Sequence, residues 1–103
     1  MAEMSENQEK INEIIDTIDK KMSGKHDSDT TMIHLMEEFG ELSRQLYNKK
    51  IGRREMNMEN LAEEIADVTM LLNKLATLHG IDVESSVNKK IEALKKRHNL
   101  KWK

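Results

Sequence analysis

Two short acidic clusters are the residues of this chain whose types and spacing could do chemistry. They read EEFGE at 37–41 and EEIAD at 63–67. Each cluster holds two acids three residues apart, Glu38 with Glu41 and Glu64 with Asp67. Acids at this spacing are neighbours on a helix surface, where like charges repel each other by about 0.2–0.5 kcal/mol. A cation between them removes the repulsion, so the pairs indicate a cation site, the alternative being an ordinary solvated helix face.

Helical geometry turns these acids toward one another. At about 100° per residue, Glu64 falls roughly 60° and Asp67 roughly 120° from the centre of the apolar face of its helix. On the preceding helix, Glu38 falls roughly 90° and Glu41 roughly 150° from the apolar centre. If the two helices pack antiparallel across a short loop, the four carboxylates can converge on one point.

Converging carboxylates suit a hard cation with oxygen ligands. Mg²⁺ fits best because it retains water ligands and shares its coordination sphere with substrate phosphates, and Mn²⁺ is a possible substitute. A calcium-binding loop is excluded because the acids lie on helices. Di-iron bundles use Glu-x-x-His pairs, whereas the pairs here end in Glu41 and Asp67. We therefore predict one or more Mg²⁺ ions at this site, with Glu37 and Glu63 outside the ligand set.

Helical segments must position these acids. Ser5 and Gln8 can form a capping box at the start of the first helix. The second helix is predicted from near Asp29 to about Lys49. Apolar residues recur at helical spacing in these two segments and in the next one; they are Ile11, Ile14, Ile15, Ile18 and Met22, then Met32, Leu35, Met36, Phe39, Leu42 and Leu46, then Leu61, Ile65, Val68, Leu72 and Leu75.

Turn residues predict the later helix ends. Asn57 is a suitable N-cap for the third helix, Gly80 is placed to end it, and Asp82 can cap a fourth helix. No segment shows sustained period-two alternation. The predicted fold is therefore all-α, a four-helix bundle-like domain with a long antiparallel central helix pair. A single domain is expected to span residues 1–103.

Composition excludes several functional classes. The 37% of hydrophobic residues leaves only a thin core for 103 residues, so help from partner subunits is expected. The absence of cysteine excludes disulfides and zinc–cysteine sites. No apolar run is long enough for a membrane span and the N-terminus is unlike a signal peptide, so a cytoplasmic location is predicted. The formal net charge of −2 provides no general attraction to nucleic acid.

The acidic elements together resemble the MazG-like nucleotide pyrophosphohydrolases of the all-α NTP pyrophosphatase superfamily. The family pattern E-E-x-x-E, then E-x-x-D, is met by Glu37, Glu38 and Glu41 and by Glu64 and Asp67, with 22 residues between the two elements. The likeness continues through ADVTMLLNKLATLHGIDVESSVNKKIEALKKRH and covers roughly residues 30–98. It implies Mg²⁺-dependent hydrolysis of a nucleoside triphosphate, NTP or dNTP, to the monophosphate and pyrophosphate by a homodimer or homotetramer.

The resemblance also implies residue roles. It assigns the metal to Glu38, Glu41, Glu64 and Asp67, the same four carboxylates that helical geometry turns toward one another. The catalytic candidates for activating water are Glu37, Glu38 and Glu41, among which no general base is assigned.

Substrate-binding candidates are cations and one amide. The resemblance supports Lys90 and Arg97 on the last helix, although Leu94 replaces the asparagine that relatives often carry between them. The candidates that come from the residues alone are Lys49, Lys50, Arg53 and Arg54 in the loop and Asn73 on the third helix. Relatives that hydrolyse phosphoribosyl-ATP typically carry Tyr-His shortly after the second motif, where this chain has VTMLLNKL. A nucleoside triphosphate is therefore favoured, with phosphoribosyl-ATP as the alternative.

Two other functional classes remain open. A non-catalytic helical interaction module would treat the acids as surface. Nucleic-acid binding would use the segment 88–103, with seven Lys or Arg and one acid, but its charges are spread around the helix and only Trp102 could stack.

Met70 lies opposite the apolar centre of its helix and predicts a partner surface.

Overall fold

The computed structural model describes residues 4–101, and this part of the chain contains helices and no strand. The helices are α1 (Glu6–Met22), α2 (Ser28–Lys50), α3 (Met58–Leu78) and α4 (Val83–Arg97). The predicted all-α class is confirmed. Trp102, the one residue of segment 88–103 predicted to be able to stack, lies outside the described residues.

Side-chain caps start the two central helices close to the predicted positions. Asn57 Oδ1 accepts hydrogen bonds from the backbone N–H groups of Glu59 (3.0 Å) and Asn60 (3.1 Å), so the predicted cap of α3 is confirmed. Asp27 and Thr30 form a reciprocal capping box, and α2 therefore begins one residue before the predicted position. Such caps satisfy backbone N–H groups that the first helical turn leaves unpaired.

Asp82 caps α4 and also holds the start of α1. Its Oδ2 accepts from the backbone N–H of Ser85 (2.9 Å), as a helix cap should. Its Oδ1 accepts from the backbone N–H of Ser5 (2.7 Å), 77 residues away in the chain. Gly80, with φ +67°, follows the end of α3 as predicted. The short turn between α3 and α4 is thereby fastened to the N-terminal helix.

The predicted capping box at Ser5 is only half formed. Ser5 Oγ accepts from the backbone N–H of Gln8 (3.2 Å), but the Gln8 side chain does not return to Ser5. It is 1% exposed and donates to Thr77 Oγ1 (3.0 Å) and to the Ile81 carbonyl (2.7 Å), while accepting from the Val83 N–H (2.8 Å). Tertiary partners replaced the local one because a buried amide left unpaired costs about 1–3 kcal/mol per group.

Helix α3 packs against both α1 and α2. The buried apolar residues among those described are few: Ile15, Leu35, Val68 and Leu71. Lys74 is also buried, at 3% exposure, and donates to Asn12 Oδ1 and Asp16 Oδ1, both at 2.7 Å. A buried ammonium is tolerated because these partners replace its water shell.

The predicted apolar stripes are only partly buried. The buried face of α3 centres on Val68 and Leu71, whereas Ile65 and Leu72 are 50% and 44% exposed, so the predicted centre of that stripe was wrong. Met70, predicted to lie on a partner surface, is instead half-buried inside the chain. Several predicted stripe members on the first two helices are also exposed, namely Ile14, Ile18, Met22, Met32, Met36, Phe39 and Leu46. The helices thus have more apolar surface than one chain covers.

Helix α4 takes little part in the packing. It contributes no buried residue, and the extensive helix contacts are those of α3 with α1 and α2. The radius of gyration is 16.7 Å, against about 13 Å for a compact domain of about 100 residues. Within one chain the packed unit is therefore three-helical, and the predicted four-helix arrangement is not completed.

Candidate metal centre

Three glutamates from α2 and α3 meet at one point. One carboxylate oxygen each of Glu38, Glu41 and Glu64 lies within 4.8 Å of the other two. Glu38 and Glu41 are one helical turn apart on α2, and Glu64 faces them from α3. Glu38 and Glu64 are half-buried, while Glu41 is exposed. This set, the carboxylate cluster, brings together three of the four predicted ligands.

Contacts at the helix ends hold α2 and α3 in register. A hydrogen bond joins Ser28 Oγ at the start of α2 to His79 Nε2 just after α3 (2.6 Å). Leu35, Val68 and Leu71 form the apolar cluster between the two helices. Because this packing fixes the rotation of both helices, the polar positions beside it are held facing each other.

Two oxygens of the cluster have no partner. Glu38 Oε2 and Glu64 Oε2 are buried, and neither has a hydrogen-bond partner among the described residues. Buried polar atoms are almost always paired, and a charged one left alone is especially costly. A divalent cation would satisfy both oxygens and remove their mutual repulsion. The donor set therefore fits a hard cation such as Mg²⁺.

The crowding of carboxylates in the cluster shifts the pKa of Glu64. The closeness of the Glu38 carboxylate, partial burial, and the negative charges of Glu41 and Glu38 raise the pKa of Glu64 to about 7. The closeness of Glu38 is the largest cause, since the two carboxylates can share a hydrogen bond only when one of them holds a proton. A cation would take the place of that proton.

The metal-free protein is expected to lose stability as the pH rises from about 5 to about 8. The pKa of Glu64 is about 7 in the folded state against an ordinary value of 4.5, so the folded state binds more protons in this window. The stabilisation is complete below the lower value and is lost as the pH rises through the higher one. Thermal unfolding in EDTA at both pH values measures it.

Glu64→Gln is the control for this prediction. Glutamine keeps the shape and does not titrate, so the drop in melting temperature between the two pH values should be smaller in the variant. Mg²⁺ added at the higher pH should recover the loss in the wild type. Equal drops in the two proteins would contradict the pKa assignment.

The other predicted acids lie outside the cluster. Asp67 is exposed, and its carboxylate is not among those that approach within 4.8 Å. It lies one turn beyond Glu64, and its side chain is one methylene shorter, so it does not reach the same point in the absence of a cation. Glu37 and Glu63 are exposed and also stand apart.

A cavity of about 310 Å³ adjoins the cluster between α1, α2 and α3. Glu38 and Asp67 line it on the cluster side, and both acids thus face the same space. The rest of its lining consists of apolar and polar groups from the three helices and the α1–α2 turn, namely Ile15, Ile18, Asp19, His26, His34, Met70 and Leu71.

Three further side chains form a chain of contacts that ends on Glu38. Asp19 holds His26, the His26 ring contacts the His34 ring, and His34 Nε2 lies 3.3 Å from Glu38 Oε1. In the sequence His34 precedes Glu38 by four residues, one helical turn, whereas no spacing indicates His26 or Asp19. His26 lies in a turn, which follows no helical period, and Asp19 lies on α1 away from both acidic motifs, so no pattern pointed to them.

Comparison with known proteins decides the family. The profile of the MazG nucleotide pyrophosphohydrolase domain matches residues 26–102. The chain belongs to this family. Searches of curated proteins and of solved structures found no significant match. The match includes the whole of the carboxylate cluster, and it supports an activity on the acid anhydride bonds of nucleotides.

The predicted substrate-binding residues of this MazG chain are spread over three places. Asn73 Nδ2 donates to the Thr69 carbonyl of its own helix (2.8 Å). Lys90 and Arg97 lie on α4, which packs little against the other helices, and neither lines the cavity beside the cluster. The structure of one chain therefore does not bring these residues together with the carboxylates.

The α2–α3 loop provides a second, polar cavity. Arg54 lines this space of about 310 Å³, whereas Arg53 is exposed beside it. Lys49 pairs with Glu55 at 3.3 Å, and both are exposed. The other lining residues are mostly amides, with Gln45, Asn48, Glu55, Met56, Asn57 and Asn60.

None of the four helices described combines the length and hydrophobicity that crossing a bilayer requires.

Proposed function

We propose that this MazG protein hydrolyses nucleoside triphosphates, NTP or dNTP, to the monophosphate and pyrophosphate in an Mg²⁺-dependent reaction. The observation that carries the proposal is the carboxylate cluster with its two buried, unpartnered oxygens, Glu38 Oε2 and Glu64 Oε2. A nucleotide pyrophosphohydrolase family supplies the reaction type. A helical interaction module has no use for such a costly arrangement.

The metal ligands we propose are Glu38, Glu41, Glu64 and Asp67. When bound, Mg²⁺ supplies charge neutralisation on the phosphates and lowers the pKa of a water molecule. Mn²⁺ has the same preference for oxygen ligands and can substitute. The proton from water must pass to a carboxylate, and the candidates are Glu37, Glu38 and Glu41.

The two cavities, one lined by Glu38 and Asp67 and the other by Arg54 of the α2–α3 loop, suit different parts of the substrate. We propose the apolar-walled cavity for the nucleoside, because Ile15, Ile18 and Leu71 offer surface to a base while Glu38 and Asp67 mark its cluster end. The phosphates carry negative charge and therefore need cationic side chains rather than apolar surface. Arg53, Arg54, Lys90 and Arg97 are the cations we propose for them, and Asn73 is proposed for the sugar or base.

The proposed enzyme is a homodimer or homotetramer. The exposed apolar faces of α2 and α3 would form the antiparallel centre of a bundle completed by a partner, and α4 would pack against another subunit. This arrangement also offers a route for Lys90 and Arg97 to reach a cluster that they do not approach in their own chain. We propose a single domain over 1–103 and a cytoplasmic location, in keeping with a nucleotide substrate.

A substrate panel tests the function. Purified protein with Mg²⁺ is incubated with the common NTPs and dNTPs and with phosphoribosyl-ATP, and pyrophosphate and orthophosphate are measured separately. We expect pyrophosphate from at least one triphosphate and none after EDTA. Release from phosphoribosyl-ATP alone would replace the proposed substrate, and no release from any compound would overturn the proposal.

A further inference from the structure

We propose that Asp19, His26 and His34 form a positioning chain that fixes the Glu38 carboxylate in its metal-binding orientation. The inference rests on the proposed metal centre, but it is independent of which nucleotide is hydrolysed. None of the three residues belongs to the proposed ligand set. They come from the end of α1, the α1–α2 turn and the first half of α2.

Asp19 fixes the His26 ring from two sides. Its Oδ2 accepts the backbone N–H of His26 (2.9 Å), and both of its oxygens lie close to ring Nδ1, at 3.0 and 3.1 Å. An ionised carboxylate has no hydrogen to donate, so the Nδ1 hydrogen must belong to His26. The backbone bond places the turn and the ring bond sets the rotation. The opposite ring nitrogen, Nε2, is therefore aimed in one direction.

That direction is toward His34. His26 Nε2 lies 3.1 Å from His34 Nδ1, the ring centroids are 5.3 Å apart, and the ring planes differ by 25°. The His34 side chain is 43% exposed, and such a side chain would otherwise sample several rotamers. The contact with the better-buried His26 selects the rotamer whose Nε2 faces Glu38.

The chain separates the two oxygens of Glu38. His34 Nε2 lies 3.3 Å from Oε1, while Oε2 is buried without a partner. Oε2 is therefore the Glu38 oxygen that no protein group contacts, and we assign it to the cation shared with Glu41 and Glu64. Groups that hold a ligand in this way typically account for about 10–100-fold in metal affinity.

Mn²⁺ binding without nucleotide tests the proposal, by calorimetry and by electron paramagnetic resonance of the free ion. His34→Ala is expected to bind Mn²⁺ about 10–100-fold more weakly. His26→Ala should weaken binding less, because His34 remains but is no longer oriented. His34→Gln should recover part of the affinity, since its amide can donate toward Glu38. His98→Ala, which removes an exposed histidine just after α4, should bind as tightly as the wild type.

Melting temperatures in EDTA separate positioning from folding. The proposal requires that His34→Gln, whose amide can lie where the ring nitrogen lies beside Glu38, melt close to the wild type while its Mn²⁺ affinity lies between those of the wild type and His34→Ala. Wild-type affinity in His34→Ala, or an equal loss in His98→Ala, would overturn it. If the wild type binds Mn²⁺ but hydrolyses no nucleotide, the proposed function fails and the affinities alone decide the positioning role. A wild type that binds no Mn²⁺ overturns both the metal centre and the chain.

Discussion

Glu64→Gln is expected to lower Mg²⁺-dependent pyrophosphate release about a thousandfold, because loss of metal-based charge stabilisation is worth several kcal/mol. Glu64 is the α3 member of the carboxylate cluster, and one of its oxygens is buried without a partner. Glutamine fills the same space but presents a neutral group with an N–H₂ that repels a cation. The neighbouring Glu63→Gln makes the same chemical change at an exposed position and should change the rate by no more than about twofold.

Mn²⁺ affinity and melting temperature show whether Glu64→Gln and Glu63→Gln differ in metal binding or in folding. Mn²⁺ affinity should fall in Glu64→Gln and stay unchanged in Glu63→Gln. The metal-free melting temperature of Glu64→Gln at about pH 8 should be no lower than that of the wild type, because the variant removes a carboxylate that Glu38 and Glu41 repel. If Glu64→Gln retained full activity, or if both variants lost it equally, the proposed site would be wrong.

Val87→Glu with Ile91→Glu is expected to convert an oligomer into monomers. Both residues are exposed on α4, at 50% and 43%, and they lie one helical turn apart on one face. If this face packs against another subunit, two carboxylates must be buried there without partners, which costs several kcal/mol. Light scattering after size exclusion should show the wild type at two or four times the 12.0 kDa of one chain and the variant at that single mass.

A charge-matched control accompanies this test. Lys89→Gln with Lys96→Gln changes the net charge by the same two units on the opposite face of α4, and it should leave the mass unchanged. Activity should fall in the monomeric variant if Lys90 and Arg97 serve a neighbouring subunit. A wild type that runs as a monomer would contradict the oligomer, and loss of oligomers in the control would mean that charge alone explains dissociation.

Local signals predicted the helices well. Asn57 and Asp82 were recognised as caps because a short polar side chain satisfies the N–H groups two or three residues onward, a contact within one turn. Gly80 marked the end of α3 through its tolerance of positive φ. The half-formed capping box at Ser5 shows the limit of such local signals. The Gln8 side chain forms hydrogen bonds with residues 77–83 instead of with Ser5.

The carboxylate cluster was accessible to sequence reasoning for a similar reason. Helical period decides the side of a helix on which an acid lies, so Glu38, Glu41 and Glu64 were turned toward one another before any packing was known. The helical period does not predict how far a side chain reaches. For that reason it did not predict that the shorter Asp67 side chain lies outside the cluster. It also misjudged α3, where the buried face follows Val68 and Leu71 because two helices pack there rather than one.

The sequence by itself determined the all-α class, the helix ends and the acids that could share a cation, since all of these depend on contacts within a few residues. Only the tertiary structure decided the rest. The Gln8 and Asp82 fastenings, the Lys74 ion pair and the chain from Asp19 through His26 to His34 each join residues from different elements. Such partners are selected by the angle and spacing at which helices pack, and the carboxylate cluster gained its crowding, its unpaired oxygens and its raised pKa from that packing alone.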